Sequence, residues 1–431
     1  MRIVFLKTAG HRAFSCCPPS NQDSAMKHRP LLLSLAALMS AAVLQAETVK
    51  DREGAVRSDR KTMEKNDRWI YNQFPWDEEY AAKSADWYRS SAGRRAAHNI
   101  LTWQSELGGW PKNVDTAAES KASKVRDWKQ SGWNVEHLAK AHFDNNATVG
   151  EMRFLARAYH ATHHEPCRQA LLKGLDHIFE AQYENGGWPQ YYPATAYHRY
   201  ITFNDDVMVN LVNLMGDVAG LERDEVFSPW HSAAEQELGR AADPKKEFSF
   251  VDQQRRAKAE LAFERGIDCI LKCQILVNGE LTAWCAQHNQ VTLKPAKGRA
   301  YEHPSLSGGE SAGVIRLLMS LNEPSPEIIR AVNAACQWYD QVKLTGIRLV
   351  WLKDDNKKDD NKIVKDANAP PLWARFYEIG TNRPIFSDRS GQIKYRLAEI
   401  DRERREYYGW YSDWGRSVLA DWPKWKEKHG L

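Results

Sequence analysis

Two short acidic clusters contain residue types that bind cations. Residues 144–146 read Asp-Asn-Asn and residues 204–206 read Asn-Asp-Asp, and each cluster precedes a stretch with apolar residues at helical spacing. Asp and Asn are also preferred capping residues of helices, so capping alone would explain either cluster. Asp205 and Asp206 are adjacent, however, and only one of them can cap. Carboxylate and amide oxygens suit a hard cation such as calcium, and the two clusters together favour a cation site.

Five basic side chains lie in loops that could bind an anionic ligand. They are Lys112, Arg299, Arg375, Arg383 and Arg389. Most surface lysines and arginines are simply solvated, but an arginine in a turn-rich loop can bind a carboxylate through two hydrogen bonds. The chain also has 17 Trp and 16 Tyr, some of which could stack on sugar rings. The combination predicts an acidic polysaccharide as the substrate.

A repeated sequence motif indicates how these side chains are positioned. Gly-Gly-Trp-Pro at 108–111 returns at 186–189, and a degenerate third copy ends at Trp284. Each copy follows a helical run that ends near a glutamine, and the three tryptophans stand roughly 80 to 100 residues apart, enough for a pair of helices with loops. The repeat predicts an all-α fold of three helical-hairpin units around a common centre. Long loops join the units, with room for small β-hairpins near the tryptophans.

Six segments have the apolar periodicity of helices. The predicted ranges are 148–161, 205–215, 253–274, 309–322, 326–343 and 396–407. The first of them opens with a capping-box pattern, Thr148 and Glu151. Two other segments, 221–250 and 353–365, lack such periodicity and are interpreted as surface insertions.

Residues 1–46 have the layout of a leader that is removed on export. After Met26, which we expect to be the true start, basic residues precede an apolar run from Leu31 to Leu44 and a small residue at Ala46. The run is shorter than the roughly 20 residues that a membrane-spanning helix needs, which favours a cleaved signal peptide over an anchor. The prediction is a secreted or periplasmic protein without a membrane segment after cleavage.

Removal of the leader changes the charge of the chain. The leader holds five basic side chains and one acidic one, so the formal net charge of +4 falls to near zero. Nucleic-acid binding is therefore not expected, because it needs an excess of Lys and Arg. Five cysteines remain, and this odd number predicts stability from packing rather than from a disulfide framework.

Seven motifs, taken in order, resemble one known family. They are Gly-Gly-Trp-Pro-Lys-Asn at 108, Asp-Asn-Asn-Ala-Thr at 144, Asn-Gly-Gly-Trp-Pro-Gln-Tyr-Tyr-Pro at 185, Thr-Phe-Asn-Asp-Asp at 202, Trp-Cys-Ala-Gln-His at 284, Gly-Arg-Ala-Tyr-Glu-His-Pro-Ser at 298 and Arg-Phe-Tyr-Glu-Ile-Gly-Thr-Asn-Arg-Pro at 375. From about residue 96 to 415 the chain resembles the polysaccharide lyase family 10 pectate lyases. That resemblance implies an (α/α)3 toroid and calcium-assisted β-elimination of polygalacturonate to 4,5-unsaturated oligogalacturonates.

The resemblance also implies roles for individual residues. Arg299 resembles the catalytic base that removes the C5 proton. The implied calcium ligands are Asp144, Asp205 and Asp206, and the implied substrate-binding residues are Lys112, Asp144, Asn145, Arg375, Arg383 and Arg389. At Asn146 we expect glycine more often in the family, so its side chain could tilt the loop around Asp144. Residues 96–431 are interpreted as the catalytic domain and residues 47–95 as a helical lead-in, in which Trp76 and Trp87 pack onto the body.

Two other functions remain open from the residues themselves. A glycoside hydrolase on a related helical fold would use two carboxylates as acid and base without a metal. A non-catalytic binder of uronate oligomers would keep the arginines and aromatic side chains but show no turnover. For the lyase we expect a monomer and an alkaline activity optimum, because arginine loses its proton only at high pH.

Overall fold

The computed structural model describes residues 80, 83–118, 120–122, 140–224, 226–227, 244–353 and 359–431. The leader with its expected start at Met26 and all of residues 47–79, including Trp76, lie outside these ranges, as do parts of the 221–250 and 353–365 segments. Within the described ranges, no helix has both the length and the apolar character needed to cross a bilayer.

Helices dominate the described part of the chain, as the periodicity predicts. We number them α1 Ala85–Arg89, α2 Ser91–Trp103, α3 Val149–Thr162, α4 Glu165–Ala181, α5 Val207–Ala219, α6 Pro244–Glu247, α7 Gln253–Cys273, α8 Glu310–Met319, α9 Pro326–Val342, α10 Arg402–Glu406 and α11 Gly415–Lys428. The predicted bounds agree with these to within a few residues for most helices, whereas the range 396–407 contains only the short α10 and a 3-10 turn at Leu397–Glu399.

Short antiparallel strand pairs connect the helices. The strands are β1 Ile201–Thr202, β2 Leu276–Val277, β3 Glu280–Leu281, β4 Gln287–His288, β5 Leu306–Ser307, β6 Ile347–Lys353, β7 Asp359–Lys365, β8 Trp373–Ala374, β9 Phe376–Tyr377 and β10 Tyr411–Ser412. They form five two-stranded sheets in the described residues, with the pairs β1–β4, β2–β3, β5–β9, β6–β7 and β8–β10. The hairpin β2–β3 precedes Trp284, as expected. The hairpin β6–β7 occupies the segment interpreted as an insertion.

A glutamine at the end of each repeated helix explains why the sequence motif recurs. The side-chain amide of Gln104 donates to the carbonyl of Gly108 in its own loop and to the carbonyl of Ala170 on α4, both at 2.7 Å. Gln182 makes the same two bonds to its own loop and to α7, and Gln274 makes them to its own loop and to α9. Each glutamine therefore joins one repeat to the next.

The tryptophans of the repeats are buried anchors. The indole of Trp110 donates to the carbonyl of Ile100 at 2.8 Å, and Trp188 and Trp284 make the equivalent bond to the helix before them. Trp373 makes the same bond, at 2.9 Å, to the carbonyl of Tyr339 on α9. The structure thus contains a fourth copy of this arrangement beyond the three predicted. The sequence hides it because the β6–β7 hairpin separates the helix from its tryptophan by 34 residues instead of 10.

The lead-in and the cysteines fit the packing expected of them. The ring of Trp87 lies 6.2 Å from that of Phe154 on α3 in an edge-on contact, so Trp87 packs onto the body. Helix α2 runs through the predicted boundary between residues 95 and 96. The five cysteines of the described residues are all buried free thiols: Cys167, Cys269, Cys273, Cys285 and Cys336.

Candidate active site

The two acidic clusters form two neighbouring turns with the same backbone conformation. We call Asp144–Asn146 turn A and Asn204–Asp206 turn B, and both are short 3-10 turns. The second and third residues have positive φ in each, 53° and 60° in turn A and 50° and 58° in turn B. Asn and Asp tolerate this left-handed conformation better than most side chains. The turns therefore require Asn, Asp or Gly at these positions, which explains the resemblance of the two clusters.

Neither turn caps a helix through its side chains. Helix α3 begins after Thr148, whose backbone N–H donates to Glu151 at 2.7 Å, which confirms the predicted capping box. Helix α5 follows Asp206, and no side chain accepts a capping hydrogen bond there. The capping alternative is therefore wrong for both clusters, and the acidic side chains are left for other contacts.

Each turn is held by the tryptophan loop of the following repeat. The backbone N–H of Phe143, just before turn A, donates to the carbonyl of Gln190 at 3.0 Å. The backbone N–H of Phe203, just before turn B, donates to the carbonyl of Ala286 at 2.9 Å. Because Gln190 and Ala286 each lie two residues after a repeated tryptophan, the same scaffold presents both turns to the site.

Turn A contains a carboxylate that is buried and neutralised. Asp144 is 1% exposed, forms an ion pair with Lys112 and accepts a 2.5 Å hydrogen bond from the side-chain amide of Gln190. Burial alone would raise the pKa of Asp144, but Lys112 and Gln190 outweigh it and hold the pKa below its usual value. Burial and the charge of Lys112 lower the pKa of His142 to about 3, so this neighbour is neutral. Asp144 is therefore an anion at every pH at which the protein would work.

Turn B contains two adjacent carboxylates that are poorly neutralised. Burial raises the pKa of Asp205 to about 7, and the negative charge of Asp144 adds to the shift. Burial also raises the pKa of Asp206 to about 7, and here the further contributions come from Glu310 and Asp205. Arg375 lowers both values only in part. A second positive charge near turn B would relieve this repulsion.

Arg375 lies at the centre of the turn B cluster. Its guanidinium is 3% exposed, forms an ion pair with Glu310 and donates from Nη2 to Asp205 Oδ1 at 3.2 Å and to Asn204 Oδ1 at 3.3 Å. Glu310 is the first residue of α8, where a carboxylate interacts favourably with the helix dipole. The predicted substrate-binding arginine is thus engaged with the protein's own carboxylates.

A glycine on α8 makes room for turn B. A Cβ atom at Gly313 would lie 2.6 Å from Oδ1 of Asp206, closer than nonbonded atoms approach. Gly313 lies one turn after the start of α8. The helix surface therefore fits the carboxylate of Asp206 only because this position lacks a side chain.

Arg299 lies in a turn that also supplies its counter-ion. Its Nε donates to Oε1 of Glu302 at 2.8 Å, Nη2 donates to the same oxygen, and the Arg299 backbone N–H donates to Oε2 at 2.9 Å. The arginine side chain is 39% exposed, whereas that of Glu302 is 4% exposed. Burial alone would lower the pKa of Arg299, but Glu302 and the nearby tyrosines Tyr408 and Tyr301 outweigh it and raise the pKa above its usual value. Arg299 is therefore fully protonated in this structure.

The remaining predicted residues lie around this cluster. Asn145 donates from its side chain to Asn113 at 2.7 Å. Arg383 stacks its guanidinium 3.7 Å from the centre of the Tyr395 ring, and the exposed Arg389 donates to Glu403 at 2.9 Å. The structure thus brings Lys112, Asp144, Asp205, Asp206, Arg299 and Arg375 close enough for their charges to interact, and Arg383 and Arg389 are exposed side chains with other partners.

Four residues of the site were not identified from the sequence. They are Gln190, Glu302, Glu310 and Tyr408. Gln190 and Glu302 stand inside motifs quoted for the resemblance, so their positions carried a signal, whereas Glu310 reads as an ordinary first-turn acid of a helix. Tyr408 follows the segment 396–407, whose pattern predicts a helix and gives no sign of a site residue. Only its contacts in the fold identify it.

The side chains of the two turns fit a divalent cation in part. In the described residues, no group of three or more Asp, Glu, His or Cys side chains is already arranged as a metal site. Asp144 Oδ1, however, is buried without a hydrogen-bond partner among them, which leaves an oxygen available to a cation. The raised pKa values of Asp205 and Asp206 point the same way, because a bound cation would stabilise both carboxylates.

Comparisons with known proteins identify the family of the chain. A family model described as pectic acid lyase matches residues 104–229 and 232–419. The solved structure of a family 10 polysaccharide lyase from Cellvibrio cellulosa is 30% identical, covers 82% of this chain and 98% of its own, and has a TM-score of 0.61. An aspartate-to-alanine mutant of the family 10 lyase from that organism, in complex with trigalacturonic acid, matches with the same identity, 82% and 99% coverage, and TM-score 0.61.

No protein with a curated description matches significantly. The matched residues nevertheless span well over half of the chain and include both turns, Arg299 and Arg375. A match to a lyase family excludes the two alternative functions considered above, the glycoside hydrolase and the non-catalytic binder. The chain belongs to the pectic acid lyase family and is a pectate lyase, a polysaccharide-cleaving enzyme.

Proposed function

We propose that this enzyme cleaves polygalacturonate by calcium-dependent β-elimination, with Arg299 as the base. The proposal rests on one observation above all. The carboxylates of two neighbouring turns and the side chains of Arg299 and Arg375 form one electrostatically connected cluster, since the pKa of Asp205 responds to Asp144, Arg375 and Arg299 together. The relative in complex with trigalacturonic acid supports an oligogalacturonide as the substrate. The products would be 4,5-unsaturated oligogalacturonates.

The acidic and basic side chains of the site would have different roles in binding. Asp144, Asp205 and Asp206 would hold the calcium ion, and Lys112 would keep the carboxylate of Asp144 ionised. Calcium bound at the uronate carboxylate would stabilise the charge that develops when the C5 proton is removed. Arg375 would fix the position of Asp205 through its 3.2 Å hydrogen bond. The roles of Asn145, Arg383 and Arg389 would be contacts with neighbouring sugar carboxylates, which the exposed side chains of the two arginines could reach.

Arg299 would remove the proton with the side of its guanidinium that faces away from Glu302. The hydrogen bonds to Glu302 occupy Nε and Nη2, so Nη1 is the nitrogen that can face the substrate. A neutral Arg299 would take the C5 proton, the C4–O bond would break, and the electron pair of the C5–H bond would form the C4–C5 double bond. The departing oxygen would take a proton from solvent.

The raised pKa of Arg299 predicts that the rate increases with pH far into the alkaline range. Only the neutral guanidine can accept a proton, and as long as the pH is below the pKa the neutral fraction increases about tenfold with each unit of pH. Because Glu302 helps to raise the pKa of Arg299, the rate should still be rising at pH 10. A rate that falls between pH 7 and pH 10 would contradict Arg299 as the base.

The decisive experiment measures the ultraviolet absorbance of the unsaturated product. We expect polygalacturonate with calcium to give a rising absorbance that EDTA abolishes, and Arg299→Lys to lower the rate about a thousandfold or more, since lysine cannot reproduce the planar guanidine. The matched control is Arg255→Lys, because Arg255 on α7 also donates from Nε and Nη2 to one carboxylate group, that of Asp176, at 2.9 and 2.6 Å. The control should keep normal activity. Full activity of Arg299→Lys, or turnover in EDTA, would refute the proposal.

Two further expectations belong to the proposal. The three glutamines, each of which joins one repeat to the next, support a ring of helical hairpins of the (α/α)3 toroid type. The leader motif supports export to the periplasm or the medium. Detection of the mature protein beginning near residue 47 outside the cytoplasm would test the second expectation.

A further inference from the structure

We propose that Glu302 and Tyr408 form a positioning pair that fixes the plane of the Arg299 guanidinium and ties it to the Arg375 cluster. This inference rests on the proposed function, in which Arg299 acts on the substrate. Neither residue was identified from the sequence as part of the site. Each would act through Arg299 rather than on the sugar.

The first step of the argument is the way Glu302 holds the arginine. Both of its carboxylate oxygens are used, Oε1 by the side chain of Arg299 and Oε2 by the Arg299 backbone N–H at 2.9 Å. The turn itself is closed by two more bonds of 3.0 Å, from the N–H of Glu302 to the carbonyl of Arg299 and from the N–H of Gly298 to the carbonyl of Glu302. A carboxylate that accepts from Nε, Nη2 and the backbone N–H of one arginine leaves its guanidinium little freedom to rotate. Backbone and side chain of Arg299 are thus fixed by one residue.

Gly298 lets this carboxylate lie beneath the arginine. A Cβ atom at Gly298 would lie 2.6 Å from Oε2 of Glu302 and 2.3 Å from Oε1 of Gln287 on β4. The space below Arg299 is therefore filled by polar side chains. Since the Glu302 side chain is 4% exposed and that of Arg299 is 39% exposed, the carboxylate supports the arginine from the interior and leaves its outer edge for the substrate.

Tyr408 connects the two arginines of the site. Its hydroxyl donates to Oε1 of Glu302 at 2.8 Å, and its ring lies 4.8 Å from the guanidinium carbon of Arg375 and 5.5 Å from that of Arg299. The ring also packs against Trp410, with 4.9 Å between the ring centres. A ring in contact with two cations attracts both and links their positions. Movement of either arginine would therefore disturb the other.

The accessibility of the pair decides between a catalytic and a positioning role. Glu302 and Tyr408 are both buried, and the hydroxyl of Tyr408 is directed at Glu302 rather than outward. Neither can contact a sugar without displacing Arg299. A displacement of a reacting group by about 1 Å can lower a rate about a hundredfold, so a buried clamp can be important without touching the substrate.

The charged and titratable groups that face Arg299 come from several elements. They are Glu302 and Tyr301 on its own turn, Tyr408 and Arg389 from the C-terminal segment, Tyr197 from the 196–199 turn and Asp205 from turn B. Of these, only Glu302 makes hydrogen bonds with the guanidinium in the described residues. Loss of its charge should therefore lower the pKa of Arg299 more than any other single change.

The test compares Glu302→Gln and Tyr408→Phe with the normal enzyme, using kcat and KM on polygalacturonate with calcium from pH 7 to pH 10. We expect Glu302→Gln to lower kcat about 10- to 100-fold at pH 10, with KM within about threefold, because orientation rather than binding is lost. Lowering the pKa of Arg299 would raise its neutral fraction by the same factor at every pH below that pKa, so the loss should be similar at pH 8 and pH 10. Tyr408→Phe should lower kcat about 3- to 10-fold, again by a similar factor at both pH values.

The control is Tyr88→Phe, which removes a hydroxyl from another buried tyrosine, on α1, where it donates to the carbonyl of Tyr80 at 2.8 Å. It should change neither kcat nor the pH profile. A Glu302→Gln enzyme with the normal kcat and pH profile would overturn the positioning pair. So would one in which KM rises as much as kcat falls, because substrate binding would then be affected as well. The proposed function fails separately, because it requires Arg299→Lys to be inactive whatever Glu302→Gln does.

A variant that does not fold is excluded by its melting temperature, and Glu302→Asp then serves as the second variant. Glu302→Asp keeps the negative charge but is shorter by one methylene group, so the carboxylate cannot accept from Nε and Nη2 of Arg299 at the same position. Positioning predicts a reduced kcat with an unmoved pH profile for this variant. A normal kcat would contradict the inference.

Discussion

Turn A and turn B share one backbone conformation but differ in their electrostatics. Both have two consecutive residues of positive φ, and both are held by a hydrogen bond from the preceding phenylalanine to the next tryptophan loop. In turn A, Lys112 and Gln190 overcome the effect of burial, and the pKa of Asp144 falls. In turn B, burial and neighbouring carboxylates prevail, and the pKa values of Asp205 and Asp206 rise to about 7.

The difference shows that a repeat can copy a backbone without copying its chemistry. The left-handed turn needs Asn or Asp for steric reasons, so both copies kept those residue types. Their charge state is decided by the side chains that other segments bring to them, namely Lys112 for turn A and Glu310 for turn B. Turn A is thus neutralised by the protein itself, whereas turn B is suited to neutralisation by a cation.

The largest expected effect is on catalytic activity, which should depend on the carboxylate of Asp206 in turn B but not on the side chain of Asn146 in turn A. Asp206→Asn should lower kcat/KM about a hundredfold or more with calcium present, because it removes a charge from the proposed cation site without changing the shape of the turn. The matched change in turn A is Asn146→Gly, at the same backbone position with φ of 60°. Glycine adopts that conformation easily, and the absorbance assay should show activity within about threefold of normal. Normal activity of Asp206→Asn would remove the distinction between the turns.

An intermediate effect is on the free energy of unfolding, which should change in opposite directions when a carboxylate of turn B or of turn A is removed. At pH 8 in EDTA, Asp206→Asn should stabilise the protein by about 1–2 kcal/mol, since a carboxylate with a raised pKa destabilises the folded state above that pKa. Asp144→Asn should instead destabilise by about 1–3 kcal/mol, because it leaves Lys112 without its partner and loses a carboxylate whose pKa is lowered by folding. Urea unfolding of both variants measures the two changes. Shifts of the same sign would contradict the assigned electrostatics.

The expected sign also depends on pH. For Asp206 the folded pKa is about 7 and lies above the unfolded value, so its destabilising effect appears as the pH rises through 7 and is absent in acid. The stabilisation by Asp206→Asn should therefore vanish near pH 4. Added calcium should remove it at pH 8 as well, because the normal protein gains stability by binding the ion.

The smallest expected effect concerns the helix after turn A. Glu151 is buried, accepts from the N–H of Thr148 at 2.7 Å and from the hydroxyl of Thr116 at 3.0 Å, and burial raises its pKa to about 8. The helix after turn B has Leu211 at the corresponding position. Glu151 should therefore favour the folded state when protonated in acid and lose that contribution as the pH rises through 8.

Glu151→Gln removes this titration. Between pH 5 and pH 9 the normal protein should lose about 1 kcal/mol more stability than the variant, measured as the difference in melting temperature at the two pH values. Equal pH dependence of the two proteins would mean that the Glu151 carboxylate is charged in the folded state throughout.

Much of the site could be predicted because its residues stand in short motifs with local requirements. The tryptophan phrases mark the loops, and the Asp-Asn clusters mark turns that few other residues can form. Glu310 and Tyr408 could not be predicted, because each reaches the site through a distant segment: Glu310 pairs with Arg375 across 65 residues, and Tyr408 bonds Glu302 across 106. The fourth repeat was missed for a simpler reason, the β6–β7 hairpin that interrupts its spacing.

The sequence by itself determined the helices, the repeated loops, the left-handed turns and the family, because each follows from residues close together in the chain. Only the tertiary structure decided which carboxylates are neutralised, which arginine is clamped by Glu302 and which is buried by Glu310. Those outcomes depend on electrostatic interactions between residues that are far apart in the chain. Such interactions fall off with distance in space, and distance in space is set by the packing of the whole fold.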